Sequence, residues 1–483
     1  MEGSPAKRTL HLIYVFKPCR ITGTSLNTIP DCLLAIGRGF HILLIQEYLI
    51  LRCILGNIMD YFNYKEGKLF AENTAVEKIA AEVGTPVYIY SKATFKEHLQ
   101  KIKEAYSKLD TTICYSVKAC GNINILKILA EAGSGFDIVS GGELYRVLQA
   151  GGDPAKIVYA GVGKTDNEIV EALKAGIGYF NIESEAEMEN LIQLAKQHRK
   201  HPKAALRINP DIDPKTHTYT TTGKKETKFG VDIERARKVF ADYGKNKSVK
   251  LCAIHVHLGS AGKTVAPYVE AIEKALSLIE QLRGDGFTIE AIDLGGGYGA
   301  DYITGTSPTA ADYAAAIVPL LKGKNLKLIL EPGASIAANT AILVMRVLYL
   351  KSSGSKKFVI VDAGMNDLIR PPLYSAFHFI WPTKVDKKLM PPRRDRDLQL
   401  AGTEVVDVVG PICENADFFA QDRALPPVKR GDFISIFTAG AYGFTMSSNY
   451  NARPRPAEVL VDGSKFSIIR KRETYEDLTS LEK

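Results

Sequence analysis

The sequence predicts a (β/α)8 barrel of the TIM type followed by an all-β domain. From about residue 112, a short β-branched run, a polar or glycine-rich break and an amphipathic helix repeat as one unit, giving eight strands. Each strand is continuously apolar, as expected of strands buried on both faces. After about residue 340 the helices give way to strand runs separated by Gly, Pro and Asn turns. A doubly wound open sheet shows the same alternation and stays the alternative, but the count of eight favours the barrel.

The predicted barrel strands follow one another between residues 111 and 333. They are residues 111–119, 135–140, 156–161, 178–184, 203–210, 251–260, 291–297 and 326–333. Several of the intervening helices end on glycine, the usual left-handed C-cap, at Gly133, Gly151, Gly176, Gly244 and Gly323. The run 85–91 precedes the first barrel helix, and we expect it to join the all-β domain.

These patterns divide the chain into four segments. We expect an atypical extension over 1–58, a segment joining the β domain over 59–91, a barrel over 92–340 and the β domain over 341–483. In the extension, charged residues interrupt the apolar run 32–56, which makes it a poor transmembrane candidate. It also lacks the short apolar core and small-residue cleavage site of a signal peptide. We hypothesise that Met59 is the functional start and that the extension is dispensable.

Composition excludes several classes of function. The net charge of +8 comes without a long basic block or aromatic-basic interleaving, so nucleic acid is not an expected partner. A mild positive balance fits anionic small substrates. The seven cysteines are odd in number, irregularly spaced and without a Cys-x-x-Cys pair, which argues against a disulfide framework and a structural zinc site. We therefore expect a reducing compartment, the cytoplasm, and no membrane association.

Unusual residues gather where the predicted strands end, which is where TIM barrels carry their chemistry. They are Lys118 on strand 1, His257 and Ser260 on strand 6, Gly295 to Gly297 on strand 7 and Glu331 on strand 8. Each has an ordinary interpretation: a lysine that extends to the rim, a core histidine, a glycine turn. His255 and His257 face the same side of their strand, but no further ligand follows at a suitable spacing, so we expect no metal.

Together these residues suggest a pyridoxal phosphate site. A lysine can hold the aldehyde as a Schiff base, which a partly desolvated amine of lowered pKa favours. A glycine loop after strand 7 can take the phosphate. A strand-8 carboxylate can keep the pyridine nitrogen protonated, which makes the ring a strong electron sink.

Longer motifs resemble those of the diaminopimelate decarboxylase family, within the fold-type III, alanine-racemase-like pyridoxal phosphate enzymes. The resemblance runs from about Met59 to the C-terminus, in the family's order. Its motifs are "YSVKA", "GFDIVSGGEL", "HVHLGS", "DLGGGYG", "LEPG", "DAGMNDLIRPPLY", "VVGPICENADFFAQDR" and "AGAYGFTMSSNYNARPRPAEVLVDG".

The resemblance implies a role for each matching residue. Lys118 would bind the cofactor aldehyde, and His257 would stack on the ring and take part in catalysis. The remaining cofactor contacts would come from Ser260, Gly295, Gly296, Gly297, Glu331, Gly333 and Tyr442. Substrate contacts would come from Arg370, Tyr374, Glu414 and Tyr442, with Cys413 as the catalytic proton donor.

The activity implied is that of a carboxy-lyase. The family removes carbon dioxide from the D-configured centre of meso-2,6-diaminopimelate and yields L-lysine, the last step of lysine biosynthesis. Cys413 and Glu414 would reach the neighbouring subunit's site, so the resemblance implies a homodimer with shared active sites.

One position departs from the family pattern. The strand-8 motif usually continues Glu-Pro-Gly-Arg, with the arginine on the substrate, whereas this chain has Ala334. An alanine cannot replace charge-assisted hydrogen bonds, which contribute about 1.5–3 kcal/mol each. Ala334 therefore leaves two alternatives open: a decarboxylase of ornithine, arginine or a carboxylated polyamine, and a non-catalytic binding homologue. A third, a metal-dependent barrel enzyme, is disfavoured by the missing ligand set.

Overall fold

The structure, a computed structural model, describes residues 59–212, 228–259 and 264–482. Its N-terminal part is a small antiparallel meander and one helix. The elements are β1 (Phe62–Lys65), β2 (Lys68–Ala71), β3 (Thr74–Ala75), α1 (Val76–Val83) and β4 (Val87–Ser91). The predictions for Ser260 and for the extension 1–58 fall outside the described residues.

Eight parallel strands then close into a barrel, which confirms the predicted fold class. They are β5 (Thr111–Ser116), β6 (Gly135–Ile138), β7 (Ile157–Tyr159), β8 (Tyr179–Ile182), β9 (Lys203–Asn209), β11 (Lys250–Val256), β12 (Ala291–Asp293) and β13 (Lys327–Leu330), with β10 (Val231–Asp232) beside β9. β13 pairs with β5, and β8 pairs with β9, so the described barrel has no open edge.

Helices surround the barrel. They are α2 (Lys92–Ala105), α3 (Ile123–Glu131), α4 (Gly141–Gln149), α5 (Asp166–Ala175), α6 (Glu185–Gln197), α7 (Ile233–Tyr243), α8 (Ala266–Gly284) and α9 (Ala310–Leu321), followed by the short α10 (Ala334–Ala337). Ser or Thr side chains cap several of them, and Thr165 forms a capping box with Glu168 at the start of α5. Among the residues described, no helix is long and apolar enough to cross a membrane.

Glycines end most of the predicted helices in the expected way, with one exception. Gly133, Gly151, Gly176 and Gly323 have positive φ. Gly244 instead has φ −64° and continues the right-handed conformation. A side chain there would collide with the carbonyl oxygen of Phe240 and the ring of Phe287, so close packing explains this glycine.

A nine-stranded sheet separate from the barrel forms the β-rich domain. Its elements are β14 (Ala341–Ser353), β15 (Lys356–Val361), α11 (Arg370–Tyr374), β16 (Ile380–Pro382), β17 (Glu404–Val409), β18 (Phe418–Leu425), β19 (Phe433–Ile436), β20 (Ala457–Asp462), β21 (Lys465–Arg470) and α12 (Tyr475–Thr479). β4 lies inside this sheet, antiparallel to β14 and parallel to β20.

A buried carboxylate joins the sheet to the barrel. Glu458 on β20 is 1% exposed and accepts hydrogen bonds from three sides. The donors are the Tyr90 hydroxyl, the Asn122 amide and the Arg470 Nε, each at 2.9 Å. Asn122 also caps helix α3, so Glu458 connects the start of α3 in the barrel to the sheet of the β-rich domain.

Candidate active site

Lys118 lies at the carboxyl end of the barrel, one turn beyond β5. The ladder with β6 ends where Ser116 pairs with Asp137, so Lys118 lies on the 3-10 turn Val117–Ala119 rather than on the strand predicted for it. Its Nζ is 2.7 Å from Oδ2 of Asp137, which also accepts the Ser116 hydroxyl at 2.7 Å. Asp137 is fully buried, and the Lys118 side chain is 35% exposed.

The electrostatics of this pair differ from the expectation of a lowered lysine pKa. Burial alone would lower the pKa of Lys118, but the negative charges of Asp137 and Glu331 and the nearby Tyr442 outweigh it and raise the pKa. Burial, followed by the charge of Glu331, also raises the pKa of Asp137. At neutral pH the amine is therefore an ammonium, and its partner Asp137 binds a proton more readily than an exposed aspartate does.

Glu331 follows β13 directly and lies in a buried polar cluster with Asn181, His255 and Asp293. It is 3% exposed, and its Oε1 accepts the Asn181 amide at 3.0 Å. Its Oε2 is 3.6 Å from Nε2 of His255. Burial would raise the pKa of Glu331, but His255, Lys118 and His257 together hold it well below its usual range. Glu331 is accordingly a carboxylate at neutral pH.

Asp293, at the end of β12, has a pKa shifted in the opposite direction. Its Oδ2 accepts the Asn181 amide at 3.1 Å, and its Oδ1 accepts the backbone N–H of Gly295 at 2.9 Å. Complete burial and the adjacent charge of Glu331 raise its pKa well above the ordinary value. The two buried carboxyl groups thus differ in their affinity for a proton, which is higher at Asp293 and lower at Glu331.

The glycine loop after β12 allows a close approach of backbone to backbone. Gly295 and Gly297 have φ +63° and +90°, and side chains on Gly296 and Gly297 would collide with the carbonyl oxygens of Glu331 and Gly259. The N–H of Gly296 donates to Nδ1 of His257 at 3.1 Å. Burial and the charge of Arg207 keep the pKa of His257 well below its usual value, so this imidazole is neutral.

Two further predicted residues lie near Lys118. Gly333 faces the turn that carries the lysine, because a side chain there would be 3.1 Å from the Ser116 Cβ. Tyr442 donates its backbone N–H to the Ala119 carbonyl at 2.9 Å. Its pKa is raised by burial, and it is close enough to Lys118 and Arg370 for both charges to act on it.

The remaining predicted residues lie in the β-rich domain. Arg370 opens α11 and donates from Nη1 to the hydroxyl of Tyr302, while Tyr374 ends the same helix, half-buried. Cys413 is exposed and bonds Asn451 through its backbone N–H at 2.8 Å. Glu414 contacts Tyr450 on the same surface. The contacts described for Cys413 and Glu414 are therefore at the surface of the β-rich domain and not with Lys118.

Comparisons with known proteins agree with this geometry. The family model described as "Pyridoxal-dependent decarboxylase, pyridoxal binding domain" matches residues 92–338. The diaminopimelate decarboxylase of Aquifex aeolicus is 46% identical over 426 residues, which are 88% of this chain and 97% of the relative. That of Haemophilus influenzae is 45% identical over 425 residues, 88% of this chain and 99% of the relative. The chain belongs to the diaminopimelate decarboxylase family.

Solved structures place it in the same family. The diaminopimelate decarboxylase of Helicobacter pylori, complexed with L-lysine, superposes with a TM-score of 0.78 at 40% identity, over 84% of this chain and 98% of that one. The enzyme of M. jannaschii, also with L-lysine, has a TM-score of 0.81 at 36% identity, over 88% of this chain and 98% of that one.

Several polar residues around this diaminopimelate decarboxylase family site were not found by sequence reasoning. They are Asp137, Asn181, Arg207 and Asp293, all at most 5% exposed; His255, considered above only as a metal ligand, lies among them at 1%. Arg207 donates to Glu183 at 2.7 Å, and Glu183 also accepts the backbone N–H groups of Gly161 and Gly230. A polar residue inside an otherwise apolar strand, as in "GFDI", "YFNI" and "AIDL", was the available signal.

Proposed function

We propose that this protein decarboxylates meso-2,6-diaminopimelate to L-lysine and carbon dioxide, with pyridoxal 5'-phosphate as its cofactor. The observation that carries the proposal is the meeting of an ammonium group, a buried carboxylate and a glycine loop at one end of the barrel. They come from Lys118, Glu331 and Gly295 to Gly297. Relatives named for this activity are more than 40% identical over most of the chain.

The residues present fit this cofactor. Lys118 supplies the amine for an aldehyde, Glu331 the carboxylate for a pyridine nitrogen, and the glycine loop the close backbone approach that a phosphate requires. Buried polar atoms without a hydrogen-bond partner in the described chain surround this centre, at Asp137 Oδ1, Asn181 Oδ1, Arg207 Nη2 and both ring nitrogens of His255. When bound, the cofactor supplies an electron sink for the electron pair released with carbon dioxide.

The chain's own residues manage the protons. The Lys118 ammonium must lose a proton before its nitrogen can act as a nucleophile, and Asp137 Oδ2, at 2.7 Å, is placed to accept it. The lowered pKa of Glu331 keeps its carboxylate negative, and this charge would keep the pyridine nitrogen protonated. The neutral ring of His257 would lie against the cofactor ring.

The β-rich domain would supply the substrate contacts. Arg370 and Tyr374 would bind a carboxylate, and Tyr442 would lie between cofactor and substrate. We infer that the exposed Cys413 and Glu414 complete the site of a second subunit, the thiol as proton donor and the carboxylate on the distal amino group. A homodimer follows from this arrangement.

A mixing experiment tests the shared site. Lys118→Ala and Cys413→Ala would each be inactive alone, but subunits recombined in equal amounts would regain about a quarter of the parent activity, because half of the dimers contain one intact site of two. No recovery, together with normal dimer assembly, would place both residues in one subunit's site.

A substrate panel tests the function itself. Carbon dioxide release is measured with meso-diaminopimelate, ornithine and arginine, for the parent protein and for Ala334→Arg. We expect turnover of diaminopimelate by the parent and a lower KM in the variant, since the arginine adds a charged hydrogen-bond donor. Turnover of ornithine alone would overturn the proposed substrate.

A further inference from the structure

A tyrosine outside the predicted site holds the guanidinium of Arg370. Tyr302 lies in the loop after β12, and its hydroxyl accepts the Nη1–H of Arg370. The Arg370 guanidinium carbon also lies 4.9 Å from the centre of the Tyr302 ring. The two residues come from different domains and are 68 positions apart.

The hydrogen-bond direction leaves two donors for a ligand. Because the Tyr302 oxygen accepts from Arg370, its own O–H points away from the guanidinium, and the described residues provide no acceptor for it. The Nε–H of Arg370 is buried and likewise has no partner among the residues described. A cationic donor and a phenol donor side by side are suited to a carboxylate.

The tyrosine is held in place from two sides. Its ring meets the ring of His378 edge-to-face at 5.2 Å and 89°, and His378 is 1% exposed. Nδ1 of His378 contacts the Phe437 carbonyl at 3.0 Å, while burial and the charge of Arg370 lower the pKa of His378 to about 3. On the loop itself, the carbonyl of Asp301 accepts the Asn339 amide at 2.7 Å.

The pair and Lys118 share one neighbour, Tyr442. Tyr442 is influenced by the charges of Lys118, Asp137 and Arg370 and by Tyr302. Its backbone N–H also bonds the Ala119 carbonyl beside Lys118 at 2.9 Å, so Tyr442 is close both to the lysine turn and to the Arg370–Tyr302 pair. A substrate with its reacting carbon at Lys118 would extend past Tyr442 toward the two donors.

We propose that Tyr302 and Arg370 form a two-donor clamp for the distal carboxylate of the substrate, with Tyr302 both orienting the guanidinium and donating its own O–H. The inference rests on the proposed function and adds a substrate-binding residue to it. It also supplies a carboxylate contact in a chain that has Ala334 where the family carries an arginine.

The test compares two ligands that differ by one carboxylate. L-Lysine and cadaverine share the amino groups and the carbon chain, and only lysine can use the clamp. Inhibition constants for both are measured against diaminopimelate turnover, for Tyr302→Phe and for Tyr298→Phe. Tyr298 is a matched control in the same loop, whose hydroxyl faces Tyr106 at 3.5 Å instead of Arg370.

We expect Tyr302→Phe to raise the inhibition constant of lysine about 10-fold or more, which is the effect of losing one hydrogen bond to a charged group. The inhibition constant of cadaverine should change less than about twofold. Tyr298→Phe should leave the ratio of the lysine and cadaverine inhibition constants unchanged. KM for diaminopimelate should rise with lysine's inhibition constant while kcat changes little. Adding Tyr302→Phe to Arg370→Ala should weaken lysine binding by a smaller factor than Tyr302→Phe does alone, because the orienting contact to the guanidinium is already gone and only the O–H bond of the tyrosine remains to be lost.

Equal weakening of lysine and cadaverine by Tyr302→Phe would show a packing role and overturn the clamp. An unchanged lysine constant, or additive effects with Arg370→Ala, would also overturn it. Failure of the proposed function is distinguishable, since it appears as a parent protein that releases no carbon dioxide from diaminopimelate.

Discussion

Replacing Glu331 by glutamine tests the cofactor site most sharply, because it changes charge and almost nothing else. The side chain is 3% exposed, so solvent cannot compensate for the lost charge. The amide oxygen of glutamine can still accept the Asn181 N–H that Glu331 accepts at 3.0 Å. The variant therefore loses the negative charge next to His255 and, under the proposed function, the charge-assisted bond to the pyridine nitrogen.

One hydrogen bond to a charged group contributes about 1.5–3 kcal/mol, which corresponds to roughly 10- to 150-fold in affinity. We expect Glu331→Gln to weaken the binding of pyridoxal phosphate by a factor in this range. It should also lower kcat, since a less protonated ring is a poorer electron sink. The assay titrates cofactor-free protein with pyridoxal phosphate, followed by its visible absorbance, and measures turnover at saturating cofactor.

Glu290→Gln is the matched control, because Glu290 lies before β12 and pairs with Lys203 and Lys250. It should change neither cofactor affinity nor turnover by more than about twofold. If Glu331→Gln also binds cofactor and turns over within threefold of the parent, Glu331 does not serve the pyridine nitrogen.

Three further predictions concern stability and chain organisation. Glu458→Ala leaves the buried Tyr90 and Asn122 donors and the partly exposed Arg470 without their acceptor. We therefore expect the free energy of unfolding to fall by about 3 kcal/mol, with a lower Tm by calorimetry and a smaller effect for Glu458→Gln; equal Tm values would contradict the role of this carboxylate. Burial raises the pKa of Asp367 to about 7, so its neutral form stabilises the fold below the unfolded pKa, and that stability is lost as pH rises to about 7. The free energy of unfolding of Asp367→Asn should therefore rise relative to the parent by about 1.4 kcal/mol per pH unit between the unfolded pKa and about pH 7. A pH-independent difference in Tm would refute this prediction. A chain beginning at Met59 should fold and retain cofactor binding and turnover, and an insoluble or inactive product would refute the hypothesis that residues 1–58 are dispensable.

The sequence predicted the features that depend on local pattern. Continuous apolar strands and amphipathic helices identified the barrel, and the residues at strand ends pointed to Lys118, Glu331 and the glycine loop. Strand limits were less accurate, because pairing with the next strand decides them: β5 stops at Ser116, where its ladder with β6 ends.

Contacts between distant parts of the chain could not be predicted in this way. Nothing in the spacing links Tyr302 to Arg370, or Asn181 to the two carboxyl groups that it bridges, 112 and 150 positions away. The pKa of Lys118 likewise depends on Asp137, which comes from a neighbouring strand. Burial, charge and hydrogen bonding across strands decide these properties.

The most direct test of the central claim is the yield of carbon dioxide and L-lysine from meso-diaminopimelate with pyridoxal phosphate present. We predict equimolar formation of both by the parent protein and none above background by Lys118→Ala, whose fold is checked by its Tm. No products from the parent, or equal turnover by a folded Lys118→Ala protein, would contradict the proposal.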